Sequence, residues 1–352
     1  MSFKDGMSAI NLEMPPRVPR TEYSVSEHWS LVSIVTGIEV NAHSDKETQR
    51  KASSAFKKAW NYDFDWNILI HQDEYGGKHT SMGHAVYAES GTDFDDDVSK
   101  LFEDPEDVYD VDFDEFLGKR DQSEILKRFN AAYDKSIQEN PDMVNMTGIY
   151  VTLMSGLIAL LGWDTLLVAA GIDPEAFGEF TNRYANWISS HFKALADCKA
   201  PVVMVHDDIV WGNGPFLRHE WYREYIFPNL KRLFDPLREA GKKIMFTSDG
   251  DFTLFIDDVA NCGVNGFVME PTTDMGYIAE KYGKTHVFIG NADTRILLSG
   301  SKEDIYNEVK RCMDIGKKHP GFFMAVGNHI PANTPIENAL YYNEIYESMS
   351  KR

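Results

Sequence analysis

The 352-residue chain sets 55 acidic against 35 basic side chains, a formal charge of −20 that argues against nucleic acid and anionic membranes as partners. Its 43% apolar content can core one large α/β barrel or two ordinary domains, and no apolar run reaches bilayer-spanning length. Cys198, Cys262 and Cys312 are far apart with no CxxC pair, and MSFKDGMSAINLEMPPRVPR has no apolar signal core; both features read as a reduced, cytoplasmic protein.

Residues 1–20 lack periodicity and read as an arm. Ser44–Trp60 predicts a helix, capped by Ser44 or Asp45, with Ala52, Phe56 and Ala59 as its apolar stripe. Trp66–His71 reads as the first strand. Tyr75–Ala88, with Gly76, Gly77, Gly83, His79 and His84, reads as a loop or hairpin capping the fold. Asp93–Glu115 is acidic, a solvated excursion or a docking surface for a protein partner. Ser123–Asn140 predicts a helix and Met143–Met146 a strand leading into Thr147 and Gly148. Tyr150–Leu161 predicts a buried helix and Pro174–Leu195 another.

From Pro201 a single phrase repeats. Apolar runs at Pro201–Val205, Ile244–Phe246, Gly266–Met269, Val287–Ile289 and Phe322–Val326 each end on acids, amides or a histidine. Helical patterns at Arg218–Ala240, Phe252–Asn261, Met275–Lys281 and Lys302–Lys317 separate them, and Pro335–Met349 closes the chain. This alternation predicts an α/β fold, a (β/α)8 TIM-type barrel with an N-terminal extension and its working face at the strand C-termini. A doubly wound open sheet is the alternative, because closure is not visible in sequence. No linker interrupts the pattern. One domain is expected over 1–352, with 1–65 as arm and helix and 66–352 as barrel.

The chemistry-bearing residues fall at those strand ends. His206, Asp207 and Asp208 follow one strand; a lone carboxylate there commonly accepts hydrogen bonds from a helix or loop, but two beside a histidine suit a ligand or proton-transfer site. Asp249 and Asp251 flank Gly250, where helix capping competes with function. Glu270 precedes Pro271 with no visible capping need, and His329 follows Gly327 and Asn328. Asp249, Glu270 and His329 could converge on one metal ion, although no HxH, HxxxH or Cys pair supports it. Phosphate-cradling glycine motifs and a serine nucleophile elbow are absent from the sequence.

The phrases DDIVWGNGPFLRHEWYREYIFPNLKRL, GKKIMFTSDGD, GVNGFVMEPTTDMG, IGNADTRILLSG and AVGNHIPANTPIENALYY resemble the uroporphyrinogen decarboxylase superfamily, which includes corrinoid-dependent methyltransferases. The resemblance covers Pro201–Tyr342 in the family's order. The porphyrinogen decarboxylases carry an N-terminal Arg-rich motif for substrate carboxylates, whereas Arg17 and Arg20 here sit in PPRVPR without it. The methylcobalamin:coenzyme M methyltransferases bind zinc through His-x-Cys and a later Cys, and those positions here read Thr247, Asp249 and Asn328.

The resemblance that remains is to O-demethylase methyltransferases, which pass a methyl group from an aryl methyl ether to the cob(I)alamin of a separate corrinoid protein. It implies a small methoxylated substrate, a corrinoid protein as partner, zinc as a candidate metal, and acid or metal activation of the leaving oxygen. The implied catalytic set is Asp249, Glu270 and His329, with His206 and Asp208 nearby. Trp211, Phe216, Tyr150 and Asn328 would bind substrate, and Gly250, Asn291 and Asp293 would face the cofactor. Asp293, Glu308 and His329 also reproduce, with Asp for one Glu, a zinc-ligand spacing of some O-demethylases. Decarboxylation of a small carboxylic acid and a non-catalytic homologue are the alternatives. A homodimer is left open.

Overall fold

The computed structural model describes residues 2–25, 27–80 and 100–352. Its centre is a ring of parallel strands. Thr147–Ile149 (β3), Val202–His206 (β4), Lys243–Ser248 (β5), Gly266–Met269 (β6), Val287–Ile289 (β7) and Phe322–Phe323 (β8) pair in sequence order. Ahead of them, Phe64–Asp65 (β1) pairs with Val144–Asn145 (β2), and β2 runs into β3 through Met146 alone. The segment from Pro19 to Ser24 closes the ring. Met324 N–H donates to Pro19 O at 2.9 Å, Thr21 N–H to Met324 O at 3.2 Å, and Asp63 N–H to Arg20 O at 2.8 Å. Closure by hydrogen bonds on both edges makes this the TIM-type barrel rather than an open sheet.

Alternation along the staves sorts the side chains into two layers. Phe64, Val144, Met146, Val202, Met204, Met245, Val268, Val287, Ile289 and Phe323 fill the barrel interior. Their neighbours, such as Val203, Val205, Phe246 and Phe288, face the outer helices in the larger core. The closing segment obeys the same rule. Arg20 and Glu22 are buried on the outer side and pair at 2.9 Å, with the guanidinium 4.4 Å from the Trp60 ring centroid and 4.8 Å from that of Tyr346.

Several expectations are corrected here. The supposed arm holds a helix, Phe3–Ile10, capped by the Ser2 hydroxyl, which accepts from Asp5 N–H at 3.0 Å. Its Ala9 and Ile10 pack against the barrel interior, and Gly6 lies so close that a Cβ would sit 2.5 Å from Asp63 O. Eight residues with a central glycine carry too little periodicity to be read in advance. The first regular strand is Phe64–Asp65, not Trp66–His71. Beyond it only Ile70 bridges, to Ile149, because the Leu69 and Ile70 amides both turn to Gly148 O, at 3.1 and 3.2 Å.

The apolar helix spans Met154–Ile172, and Tyr150–Leu153 is a turn in front of it. By length and composition that helix could cross a membrane; two thirds of its most apolar window is buried in protein, and Gly162 breaks it at φ +70°. The helix expected from Arg218 carries a π turn at Tyr222–Ile226 ahead of Pro228, whose ring cannot sit against the carbonyl four residues earlier. Of the acidic segment, residues 93–99 lie outside the described residues, as do Gly83 and His84. The rest caps short helical turns through Asp104 and Asp112 and buries Val108 and Phe113.

Candidate active site

At the C-terminal ends of the strands lies a cavity of about 380 Å³ to which all eight staves contribute. Tyr23 comes from the closing segment, Trp66 to Ile68 and His71 follow β1, Tyr150 follows β3, and His206 ends β4. Thr247 to Asp249 end β5, Met269 and Ile289 end β6 and β7, and Ala325 to His329 follow β8. Among the described lining residues there is no Lys or Arg.

Two neighbouring strands set the polar wall. β4 and β5 are in register with His206 opposite Thr247. Each then offers a second side chain two residues on, so Asp208 and Asp249 fall on the same side as His206 and Thr247. His206 Nε2 lies 3.2 Å from Asp208 Oδ1, and Asp249 N–H donates to Asp208 Oδ1 at 2.9 Å. His206 Nδ1 faces Tyr150 O at 3.2 Å and Ser155 Oγ at 3.3 Å. The ring stacks on Tyr150 with centroids 3.8 Å apart, and Tyr150 in turn stacks on His71 at 5.3 Å.

The three consecutive polar residues after β4 divide their work. Asp207 is buried and structural: its Oδ1 accepts from Leu153 N–H at 3.0 Å and Ser155 N–H at 2.9 Å, satisfying the first amides of the Met154–Ile172 helix. Asp208 instead faces His206. After β5 the division repeats, since Asp251 accepts from Thr253 N–H at 3.0 Å while Asp249 points into the cavity.

Glu270 stands behind Asp249. Its two oxygens accept from Gly250 N–H at 2.8 Å and Asn328 Nδ2 at 2.7 Å, and the same amide reaches Asp249 Oδ2 at 3.4 Å. Gly250 has φ +78°, and a Cβ there would lie 2.4 Å from Trp211 O, so only glycine fits. His329 sits across the cavity. Its Nδ1 is 2.8 Å from Ser24 Oγ, and its ring meets Tyr23 edge-on at 5.5 Å.

The electrostatics follow from burial and neighbours. Burial opposes charge on His206, but the Asp208 carboxylate more than offsets it and holds the imidazolium up to about 9. Asp208 is correspondingly pulled below the usual carboxylate range, its burial outweighed by His206. Burial, then repulsion from Asp208 and Glu270, drives Asp249 well above that range. Burial also raises Glu270, and it depresses His329 to about 4, with the His206 charge adding to the effect. The site thus sets a histidine raised by a neighbouring carboxylate against one lowered by burial, and a depressed Asp208 beside a raised Asp249.

Of the residues singled out in the sequence, His206, Asp249, Tyr150, Asn328 and His329 line the cavity, and Asp208 and Glu270 lie directly behind them. The others are elsewhere. Trp211 and Phe216 cluster with Trp163 at 5.4 and 5.1 Å on the loop after β4, outside the lining, with Trp211 46% exposed. Asn291 is buried behind Glu270, donating to Glu270 O at 3.1 Å and accepting from Arg311 at 2.9 Å. Asp293 caps the next helix and binds Arg295, while Glu308 binds Arg311. Asp293 N–H does reach Glu308 at 2.9 Å, but both carboxylates are engaged by arginines and His329 is not with them.

Tyr23, Trp66, Asn67 and Ser155 were not singled out in the sequence: Tyr23 lies on a segment without strand periodicity, Trp66 and Asn67 on a run read only as a strand, and Ser155 at a helix start.

The chain matches the family description "Uroporphyrinogen decarboxylase (URO-D)" over residues 82–348. It is similar to uroporphyrinogen decarboxylase from Carboxydothermus hydrogenoformans, 29% identical over 178 residues, covering 50% of this chain and 49% of that one. A second relative, from Thermus thermophilus, is 28% identical over 163 residues, covering 46% of each. The chain thus spans about half the length of the curated relatives it matches. In structure it is similar to a methyltransferase from Methanosarcina mazei, with TM-score 0.67 and 17% identity, covering 99% of both chains; that likeness is one of fold.

Proposed function

The chain belongs to the uroporphyrinogen decarboxylase family, and from that premise we propose that it moves a methyl group from a small, neutral methoxylated aromatic to the cob(I)alamin of a separate corrinoid protein. One observation carries the reading: the cavity joins aromatic walls (Tyr23, Trp66, Tyr150) to an acid, Asp249, and its described lining has no Lys or Arg. A polyanionic porphyrinogen finds no counter-charge in such a pocket. The N-terminal arginines do not supply it, because Arg20 is buried against Glu22 and three aromatic rings, and Arg17 is bound to Asp63.

Phenolate is a poor leaving group unless its oxygen is protonated or bound by a Lewis acid. The aromatic walls would hold the ring, excluding water, and place the ether oxygen at Asp249. Glu270 and Asn328 fix the position of Asp249, and His206 with Asp208 sets the charge beside it. The corrinoid, carried by its own protein, supplies the nucleophile that takes the methyl group. The His/Cys ligand set of the thiol-accepting relatives is not present here. Its positions hold Thr247, Asp249 and Asn328, with the amide of Asn328 bonded to Glu270, so no thiolate site is formed.

The test is optical. Purified protein with cob(I)alamin, or a reduced corrinoid protein, and a panel of methoxylated aromatics should give methyl-Co(III) absorbance with at least one neutral donor. No methyl transfer from any donor with a competent corrinoid partner, together with carbon dioxide release from small acids, would replace this reading with a decarboxylase.

A further inference from the structure

We propose that His206, Asp208 and Asp249 together hold one divalent transition-metal ion at the barrel mouth, zinc or a first-row neighbour. The proposal rests on the methyl-transfer reading and names the group that activates its leaving oxygen. The site differs from the grouping of Asp249 with Glu270 and His329 expected from sequence.

Geometry comes first. One ligand atom from each of His206, Asp208 and Asp249 lies within 4.8 Å of the other two. Bonds of about 2.0–2.2 Å to a common centre draw such a set together with small side-chain rotations. The set arises from backbone register: β4 and β5 run side by side, and positions two apart on each strand face the same way. One imidazole and two carboxylates suit zinc, manganese or iron better than calcium or copper.

The surroundings resemble those of a ligand set. His206 Nδ1 faces the Tyr150 carbonyl at 3.2 Å, which keeps one proton there, so that once an ion displaces the proton between Nε2 and Asp208 the Nε2 lone pair is directed toward the carboxylates. Asp249 is held from behind by Asn328, and Asp208 by the Asp249 amide. Thr247, 5% exposed and directly opposite His206, lines the same cavity with its hydroxyl unpartnered. A hydroxyl so placed suits a metal-bound water or substrate oxygen. An ion pair between His206 and Asp208 alone would satisfy those two groups. It leaves Asp249 beside a second carboxylate with no Lys or Arg among the described lining residues to neutralise it.

Glu270 and His329 are outside the set for visible reasons. Both Glu270 oxygens accept hydrogen bonds from Gly250 and Asn328, and His329 turns Nδ1 to Ser24 on the opposite wall.

The full-length protein, stripped with a chelator, should be titrated with Zn²⁺ and Co²⁺ by calorimetry and by cobalt d–d absorbance. One ion per chain is expected. His206→Ala and Asp208→Asn should weaken binding about 100-fold or more, and His329→Ala by less than about 3-fold. X-ray absorption of the zinc-loaded wild type gives a reading independent of variant folding: one imidazole with oxygen ligands is expected. No binding at millimolar ion, two imidazoles, or loss confined to the His329 variant would overturn the site. Metal binding without methyl transfer to cob(I)alamin would leave the site standing and remove the function. Methyl transfer undiminished in chelated protein would do the reverse and leave Asp249 as the acid.

Discussion

Two clusters of buried charge lie on opposite sides of one barrel wall, and they are built differently. Outside the closing segment, Arg20 and Glu22 are saturated. The guanidinium donates to Glu22 and Asn343 and lies among the rings of Trp60, Tyr342 and Tyr346, while Glu22 also accepts from Val326 N–H and Tyr342 Oη at 2.8 and 2.9 Å. Inside, the mouth cluster is under-satisfied. Asp208 and Asp249 are adjacent, and the Tyr23 hydroxyl, Trp66 indole N–H and Thr247 hydroxyl around the cavity have no hydrogen-bond partner. A polar network closed on itself specifies packing. One left open costs stability unless a ligand completes it. The same stave serves both, with Glu22 facing out and Tyr23 facing in.

The sharpest way to break this comparison is to remove one partner on the saturated side. Arg20→Met leaves Glu22 buried without its cation and should cost about 3–5 kcal/mol, read as a fall in Tm and in denaturant midpoint. Arg20→Met with Glu22→Met should recover most of that loss, because removing both partners leaves no buried charge unpaired. A double variant as unstable as the single one would show that the pair does more than fill its site.

At the mouth the expected pattern inverts. Asp249→Asn keeps the shape and removes a crowded carboxyl, so stability should hold or rise by up to about 1 kcal/mol, read as an unchanged or higher Tm. Methyl-Co(III) formation should fall about 10²-fold or more, equivalent to roughly 3 kcal/mol of barrier. A large loss of Tm with activity retained would place Asp249 with Arg20 as a structural group.

The same contrast explains what could be read from the sequence. β4 to β8 were legible because each is a continuous apolar run punctuated by polar residues, the signature of strands buried on both faces. His206, Asp208, Asp249, Glu270 and His329 were singled out through that punctuation. Their grouping was not, because it depends on the His206–Thr247 register and on which way each strand end turns. Of the barrel's first staves, Pro19–Ser24 was opaque and Trp66–His71 was read as a strand although its regular part is Phe64–Asp65, because both segments make scattered bridges rather than regular ladders. Neither Tyr23 nor Trp66 was singled out. Trp211 and Phe216 lie outside the cavity lining, because aromaticity near a strand end says nothing about which side of the loop a ring occupies.

A third charged group lies between the two extremes and sharpens the rule. Glu74, on the turn after the second stave, bonds His191 Nε2 at 3.1 Å and Arg128, tying that turn to two outer helices, yet His191 Nδ1 is buried without a partner. Burial opposes ionisation of Glu74, but His191 and Arg128 win and hold it down at about 2. With its folded value below the ordinary 4.5, the carboxylate stabilises the fold fully above about pH 4.5, and that contribution disappears as pH falls through 2. After allowing for solvent screening it amounts to about 1–2 kcal/mol. Glu74→Gln should therefore lower Tm at pH 7 by a few degrees. The gap between variant and wild type should narrow steadily between about pH 5 and pH 2. A gap that persists unchanged at pH 2 would mean that Glu74 acts through packing, and that partial satisfaction of a buried network is no measure of its electrostatic role.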